Sequence, residues 1–446
     1  MNRRSATFAA VLSFLWPGLG HAYLGRRRAA LVFALPVIVA TGATLLAALT
    51  NVDSLLGYVI TPSGTMTILV LVILLGAWRV LAMIDAVAIA RRDSGLRPLA
   101  MTVTAILVAV VVLSHGAMAY TAYAAYDASS KIFVGDVSGD NPPTADASGS
   151  PGASGDASPG ASDDFIMTPG VTPATADSRI NILLTGIHGS LTDTLMVLSV
   201  NPVDKSVVML SFPRDISNFP LYDGRTFTGK INSLMSWARR NPSDMPDGPF
   251  PTLVNELGYL LGVPIHYYAA INLDGFVKVI DEVGGITVDN PRAINDPRYD
   301  WQDGTHGFTL PAGKVKLDGR TALAYVRSRQ GVGDSDFTRA ARQQQLLVAL
   351  RSKLTSPDML TKLPSVIQLA GDSVRTNLPT DRLDEFIGLA REVDTKTIKQ
   401  YVLGPPYSTH PPNSTTGGVY TLKLDLGKMS DLSVKLFGSD SRYASD

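Results

Sequence analysis

The stretch INILLTGIHGSLTDTLMVLSVNPVDKSVVMLSF, residues 180–212, decides the fold. Ile180 to Leu184 is a compact apolar run ending at Thr185 and Gly186, and Leu195 to Val200 and Val207 to Phe212 are two more. Each is short, and the last two are separated by an NPVDK turn, so all three are strand candidates. Further along the chain the apolar period changes. Helices are expected over roughly 250–261, 273–282, 318–324, 337–353 and 381–390. Strands interleaved with helices belong to the α/β class, as a layered domain from 179 to about 400. Residues 401–446 form a C-terminal extension, rich in Pro, Ser, Thr and Gly over 405–419, with a short possible strand at 419–424 and a polar end.

Upstream of this domain the chain reads as membrane over residues 1–126. Residues 29–49, 66–90 and 99–126 each supply enough apolar length to cross a hydrocarbon core of ~30 Å. Arg3 and Arg4, then Arg26, Arg27 and Arg28, and later Arg91, Arg92 and Arg97 all belong on the cytoplasmic side by the positive-inside bias. Three crossings satisfy that assignment and carry everything after residue 126 outside the cell. The apolar run 8–24 contains Pro17, Gly18, Gly20 and His21, and a crossing there would separate Arg3 from Arg26, so an interfacial or re-entrant segment is expected. Asp85, near the cytoplasmic end of its span, is expected to snorkel towards Arg91 and Arg92. Residues 127–178, dominated by Ala, Ser, Gly, Pro, Asp and Thr, lack the apolar side chains to offset the entropy of ordering and read as a disordered tether.

Composition narrows the function classes. Lys and Arg number 39, as do Asp and Glu, so the overall charge implies no nucleic-acid partner. There is no cysteine, which excludes disulfides, thiolate metal sites and a cysteine nucleophile.

The densest chemistry lies at 325–343, YVRSRQGVGDSDFTRAARQ, which places Arg327, Arg329, Arg339 and Arg342 close together with Asp334 and Asp336 between them. Arginine presents a planar, permanently charged fork suited to phosphate oxygens, so the cluster points to an anionic ligand; a solvated charge patch is the alternative. Arg327 and Arg329 share a side if the backbone is extended, and Arg339, Arg342 and Gln343 share a face if 337–353 is helical. Arg342 is expected to be the solvated or helix-pairing member. Elsewhere, Asp193 precedes a strand, Arg214 and Asp215 follow the third strand behind Pro213, and Lys230 and Asn232 flank Ile231. Asp215 is read either as a site residue or as a simple partner of Arg214. His188 alone is a ligand, a base or a loop hydrogen-bonder.

These landmarks resemble the LytR-CpsA-Psr family of wall glycopolymer transferases. The matching segments are NILLTG at 181–186, TDTLMVLSV at 192–200, SFPRD at 211–215, KIN at 230–232, VDNP at 288–291, LDGRTALAYVRSR at 317–329 and GDSDFTRAARQQQ at 333–345. PGLGHAYLGRRR at 17–28 is similar to the leader of some actinobacterial, multi-pass members. The resemblance implies a three-layer α-β-α domain around a central mixed sheet, holding a polyprenyl pyrophosphate with its tail in an apolar tunnel. It also implies a phosphotransferase that moves a glycopolymer from that lipid to peptidoglycan with the help of Mg²⁺. By motif, Arg214, Arg327, Arg329 and Arg339 would contact phosphates with Gln343 assisting, Lys230 would add positive charge, Asp215 would structure or polarise the reacting site, and Asp193 would serve the metal.

The loop at 186–193 departs from the family pattern. An aspartate expected in a G-x-D arrangement is replaced by His188, and an arginine expected two residues before the D-T aspartate is replaced by Leu191. His188 then stands where a metal carboxylate would, although a hard cation favours oxygen ligands. The implied partners are a polyprenyl-pyrophosphate-linked glycan, a peptidoglycan acceptor and the cell membrane. The alternatives are a non-catalytic scaffold that binds the lipid pyrophosphate and a hydrolase that releases the glycan to water.

Overall fold

The structure, a computed structural model, describes residues 5–94, 98–133, 178–301, 303–356, 359 and 362–445. Arg3, Arg4, Arg97 and the 134–177 part of the expected tether lie outside the described residues. The chain divides into two compact units, Met1–Ser130 with Thr380–Glu385, and Lys131–Pro379 with Phe386–Asp446.

The first unit is all-helical: α1 (Ala6–Leu15), α2 (Leu19–Tyr23), α3 (Arg27–Thr50), α4 (Val52–Ile60), α5 (Pro62–Ser94) and α6 (Pro98–Ile132). Helices α3, α5 and α6 are each long and apolar enough to cross a bilayer, so this is a multi-pass membrane protein. Helix α1, with ten residues, rises only about 15 Å and cannot cross alone. It ends before Pro17, and Gly18 adopts φ +97°, a left-handed conformation that strains any residue with a Cβ. That break turns α2 back so that His21 is fully buried, its ring stacked on Phe33 with centroids 4.6 Å apart. Asp85 has a partner within this unit: its Oδ2 lies 3.0 Å from His21 Nε2.

The second unit is a mixed sheet flanked by helices. In chain order it contains β1 (Ile180–His188), β2 (Leu191–Val200), β3 (Val207–Ser211), β4 (Ser217–Pro220), β5 (Thr226–Lys230), α7 (Leu234–Arg240), α8 (Pro249–Leu261), β6 (Tyr267–Asn272) and α9 (Leu273–Glu282). There follow β7 (Ile286–Asn290), β8 (Ile294–Asp300), β9 (His306–Leu310), β10 (Gly313–Leu317), α10 (Gly319–Arg327), α11 (Asp336–Leu354), α12 (Leu363–Ala370) and β11 (Val374–Thr376). The chain ends with α13 (Leu383–Glu392), β12 (Lys399–Val402), β13 (Ser408–Thr409), α14 (Asn413–Thr416), β14 (Lys423–Leu424) and α15 (Leu426–Phe437). The central sheet has the order β11-β6-β1-β2-β3-β12; β1 runs parallel to β6 and β3 to β12, while the other pairs are antiparallel.

Strand periodicity explains the three layers. Leu183, Val197, Val208 and Leu210 face one side, where Leu234 of α7, Leu253 and Leu257 of α8, and Met429, Leu432 and Phe437 of α15 bury them. Their neighbours Met196 and Met209 face the other side, against Leu347 and Val348 of α11 and Val393. The 401–446 segment thus supplies core residues, and β12 completes the sheet edge.

One carboxyl is buried in the first of these cores. Glu256 on α8 has no exposed surface; Oε2 accepts the Tyr222 N–H at 3.1 Å, while Oε1 has no partner among the described residues. Burial pushes its carboxyl well above the ordinary range, with the Tyr222 N–H only partly opposing. A raised folded-state value means that stability is fully present below the unfolded value and is lost as pH rises through the folded one. Glu256→Gln is therefore expected to leave the Tm unchanged near about pH 4 and to raise it by several degrees at about pH 8. Thermal unfolding at both pH values checks this, and an equal difference at both would count against it.

Candidate functional site

The site is assembled where three strand ends meet the turn after α10. Along β1 and β2, Gly186 pairs with Thr194 and Ile187 with Thr192, so Asp193 is the residue left over in a β-bulge. A bulge bends its strand and re-aims a side chain, and this one sits at the sheet end. At the end of β3, Pro213 cannot extend the ladder, and Arg214 and Asp215 follow it in a turn. Arg214 Nη1 donates to Asp193 Oδ1 at 2.8 Å, and Arg214 Nε lies 3.7 Å from Asp215 Oδ2. Lys230, the last residue of β5, donates to Asp215 Oδ1. The backbone of Asn232 ties the pieces together: its N–H donates to Arg214 O and its carbonyl accepts from Thr192 Oγ1.

The opposite wall comes from α10 and α11. Arg327 ends α10, and Arg329 stands two residues on. Ser335 caps α11 with a reciprocal bond to Thr338, fixing the direction in which the helix leaves the turn. Arg339, on the first turn, is buried, with Nη2 3.1 Å from Asp336 Oδ1; Arg329 Nη1 lies 3.8 Å from the same oxygen. Gln343 donates to Val326 O at 3.2 Å. Asp193, Arg214, Val326, Arg327, Arg329, Arg339 and Gln343 together line a cavity of about 110 Å³. Lys230 and Asp215 stand behind it, bound to one another. His188 is half exposed beside it, Nδ1 3.8 Å from Asp193 Oδ2.

The electrostatics favour an anion. Four guanidinium groups line the cavity against the single carboxylate of Asp193. Burial opposes ionisation of Asp215, but the Lys230 ammonium, a hydrogen bond with Asp336 and the Arg214 charge outweigh it and hold its carboxyl below the usual range. Asp336 moves the other way: burial raises it, Arg339 pulls it down, and the Asp215 carboxyl adds a further upward push. Two adjacent carboxyls thus resist ionising together, which limits the negative charge beside the cavity's arginines.

The donor set corrects one expectation. Mg²⁺ held by Asp193 and His188 does not fit: among the described residues no group of three or more His, Asp or Glu side chains is arranged to hold a metal ion. Asp193 commits Oδ1 to Arg214, and the imidazole of His188 is a poor ligand for a hard cation. Arg342 also departs from expectation. It is buried rather than solvated, and Nη2 donates to Ser328 O. Asp296 accepts the Arg329 N–H and Asp336 pairs with Arg339, and the sequence reading gives neither a role. For Asp336, the available signal was its position inside the arginine cluster.

A sequence pattern described as the LytR_cpsA_psr family matches residues 154–438. The chain is 30% identical over 235 residues to the polyisoprenyl-teichoic acid--peptidoglycan teichoic acid transferase TagU of Halalkalibacterium halodurans, covering 50% of this chain and 70% of that protein. It is 32% identical over 230 residues to the protein of the same description from Oceanobacillus iheyensis, covering 49% and 67%. The crystal structure of Bacillus subtilis TagV aligns with a TM-score of 0.48 at 25% identity, covering 60% of this chain and 98% of that one. These relatives are firmicute rather than actinobacterial proteins.

Proposed function

The chain belongs to the LytR_cpsA_psr family, and from that premise we propose that it transfers a lipid-linked cell-wall glycopolymer to peptidoglycan as a phosphotransferase. The observation that carries this reading is the cavity lined by Arg214, Arg327, Arg329 and Arg339. In the proposed step an acceptor hydroxyl oxygen bonds to the glycan phosphorus, the bond from that phosphorus to the bridging oxygen breaks, the polyprenyl phosphate leaves, and the hydroxyl proton passes to the departing phosphate or to water. Negative charge grows on the bridging and equatorial oxygens, and preorganised guanidinium groups stabilise it more strongly than they stabilise the ground state. Lys230 and Asp215 hold Arg214 in place, and Gln343 supports the Val326–Arg327 end of α10.

The proposal extends to organisation. By the charge bias, residues beyond the third span would lie on the extracytoplasmic side, the stretch between α6 and β1 would act as the tether, and the 179–400 domain would carry the site. The likeness of residues 17–28 to actinobacterial leaders belongs to the same proposal, because the matched region starts at residue 154.

His188 and Leu191, which replace a carboxylate and an arginine of the family pattern, favour a second reading: a protein that binds lipid pyrophosphate without turnover. The purified full-length chain, given a polyprenyl-pyrophosphate donor with labelled glycan and a peptidoglycan acceptor, is expected to move label to peptidoglycan. Donor binding without transfer would establish the second reading, and label released to water would identify a hydrolase.

A further inference from the structure

Helix α11 separates two cavities. Arg339 and Gln343 line the small one, whereas Arg342 and Gln345 line a second cleft of about 570 Å³ whose other polar walls include Asp289, Arg292, Asp334 and Gln400. We propose that this second cleft binds a sugar unit bearing an anionic group; the inference rests on the transferase reading and names where its saccharide is held.

Size is the first argument. Pockets that hold small ligands run from about 300 to 1,000 Å³, so the 570 Å³ cleft falls within that range and the 110 Å³ cavity falls below it. The arginine-lined cavity has room for a charged group, and a glycan attached to that group needs a separate place.

Chemistry is the second. The side chain of Arg342 is 7% exposed, and its Nε and Nη1 find no acceptor among the described residues. Leaving a buried donor unsatisfied costs about 1–3 kcal/mol, so an anionic oxygen brought to Arg342 would be favourable. The rest of the lining is mixed rather than uniformly basic. Arg292 stands over half exposed, 3.2 Å from Asp334, and Asp289 and the amides of Gln345 and Gln400 complete the lining. Alternating donors and acceptors suit hydroxyl groups, each of which does both; a site for bare phosphate would not need the carboxylates.

The third argument is connection. Arg342 Nη2 donates to the carbonyl of Ser328, the residue between Arg327 and Arg329. One turn therefore supports the phosphate-facing arginines on one side and the cleft on the other, as a molecule with both a phosphate and a sugar requires. That sugar could come from the donor glycan or from the acceptor strand.

The test uses the full-length protein in detergent micelles and calorimetric titration with three probes: inorganic pyrophosphate, the N-acetylglucosaminyl-N-acetylmuramic acid disaccharide as acceptor type, and an N-acetylhexosamine disaccharide 1-phosphate as donor type. At least one saccharide is expected to bind with a Kd of about 1 mM or tighter, and the tighter one identifies the source. Arg292→Ala and Gln400→Ala, both at the exposed rim, are each expected to weaken that binding about tenfold while pyrophosphate affinity stays at the wild-type value. Binding of neither saccharide, or unchanged affinity in both variants, overturns the proposal. A wild-type protein that binds saccharide but not pyrophosphate would instead overturn the transferase reading on which it rests.

Discussion

Arg329→Ala is expected to lower transfer from the lipid-linked donor to peptidoglycan by about 10²–10³-fold, the loss typical of removing one preorganised donor to developing charge. Arg329 is only loosely engaged in holding the fold. Its side chain is 40% exposed and its ion-pair partner, Asp336, is 3.8 Å away. By contrast Arg339 is buried against Asp336, and Arg214 is bonded to Asp193, so truncating either would also disturb the protein. The Tm of Arg329→Ala should therefore stay close to wild type, and steady-state transfer kinetics then report on the site alone. Arg329→Lys retains the charge but loses the two-pronged fork, so it should recover only part of the rate. Lys205→Ala, at the turn between β2 and β3, removes a half-buried cation that pairs with Glu392 at 2.9 Å outside the cavity lining, and should leave transfer unchanged. Transfer by Arg329→Ala at the wild-type rate would exclude this guanidinium from the reacting phosphate.

The legible parts of the molecule are those encoded locally. The apolar runs at 180–184, 195–200 and 207–212 become β1, β2 and β3, and the expected helices at 250–261, 273–282 and 337–353 match α8, α9 and α11 within a residue at each end. Strand β6 is different. Its six residues pair in parallel with β1, more than eighty positions upstream, and such non-local pairing leaves no mark on periodicity. Helix α15 leaves only a faint signal: Met429, Leu432 and Phe437 recur at near-helical spacing among polar residues that make the chain end read as solvated. Three of the four arginines that line the cavity, Arg327, Arg329 and Arg339, are legible as a cluster because they lie on one short stretch. The burial of Arg342 was not, since it depends on which face of α11 meets the Ser328 turn. Nor was the metal expectation safe, because a motif aspartate says nothing about which partner its oxygens have already taken.

Asp296 is the clearest case of a site determinant that sequence spacing hides, and Asp296→Ala is expected to cost about 3 kcal/mol of stability, as several buried donors lose a charged acceptor. It lies on β8, 1% exposed, beside a register shift in the pairing with β9. Its Oδ2 accepts the Ser328 hydroxyl at 2.7 Å and the N–H groups of Arg329 and Gln330 at 3.1 Å each, while Oδ1 accepts the Arg298 N–H at 3.2 Å. The turn carrying Arg327 and Arg329 is thus wound around one carboxylate thirty-two residues upstream of Ser328. Burial alone would raise its carboxyl, but the Ser328 hydroxyl and the three backbone donors outweigh that and hold it below the usual range. With a depressed folded-state value, its contribution is present above the unfolded value and is lost as pH falls through the folded one, so the stability gap between wild type and Asp296→Ala should narrow in acid. Asp296→Asn keeps an acceptor of the same shape and should stay folded, yet lower transfer about tenfold by loosening the turn. A double-mutant cycle separates positioning from simple destabilisation. If Asp296 acts through Arg329, adding Asp296→Asn to Arg329→Ala should lower transfer far less than it does in the wild-type background. Full additivity would mean that Asp296 supports the fold without aiming the guanidinium.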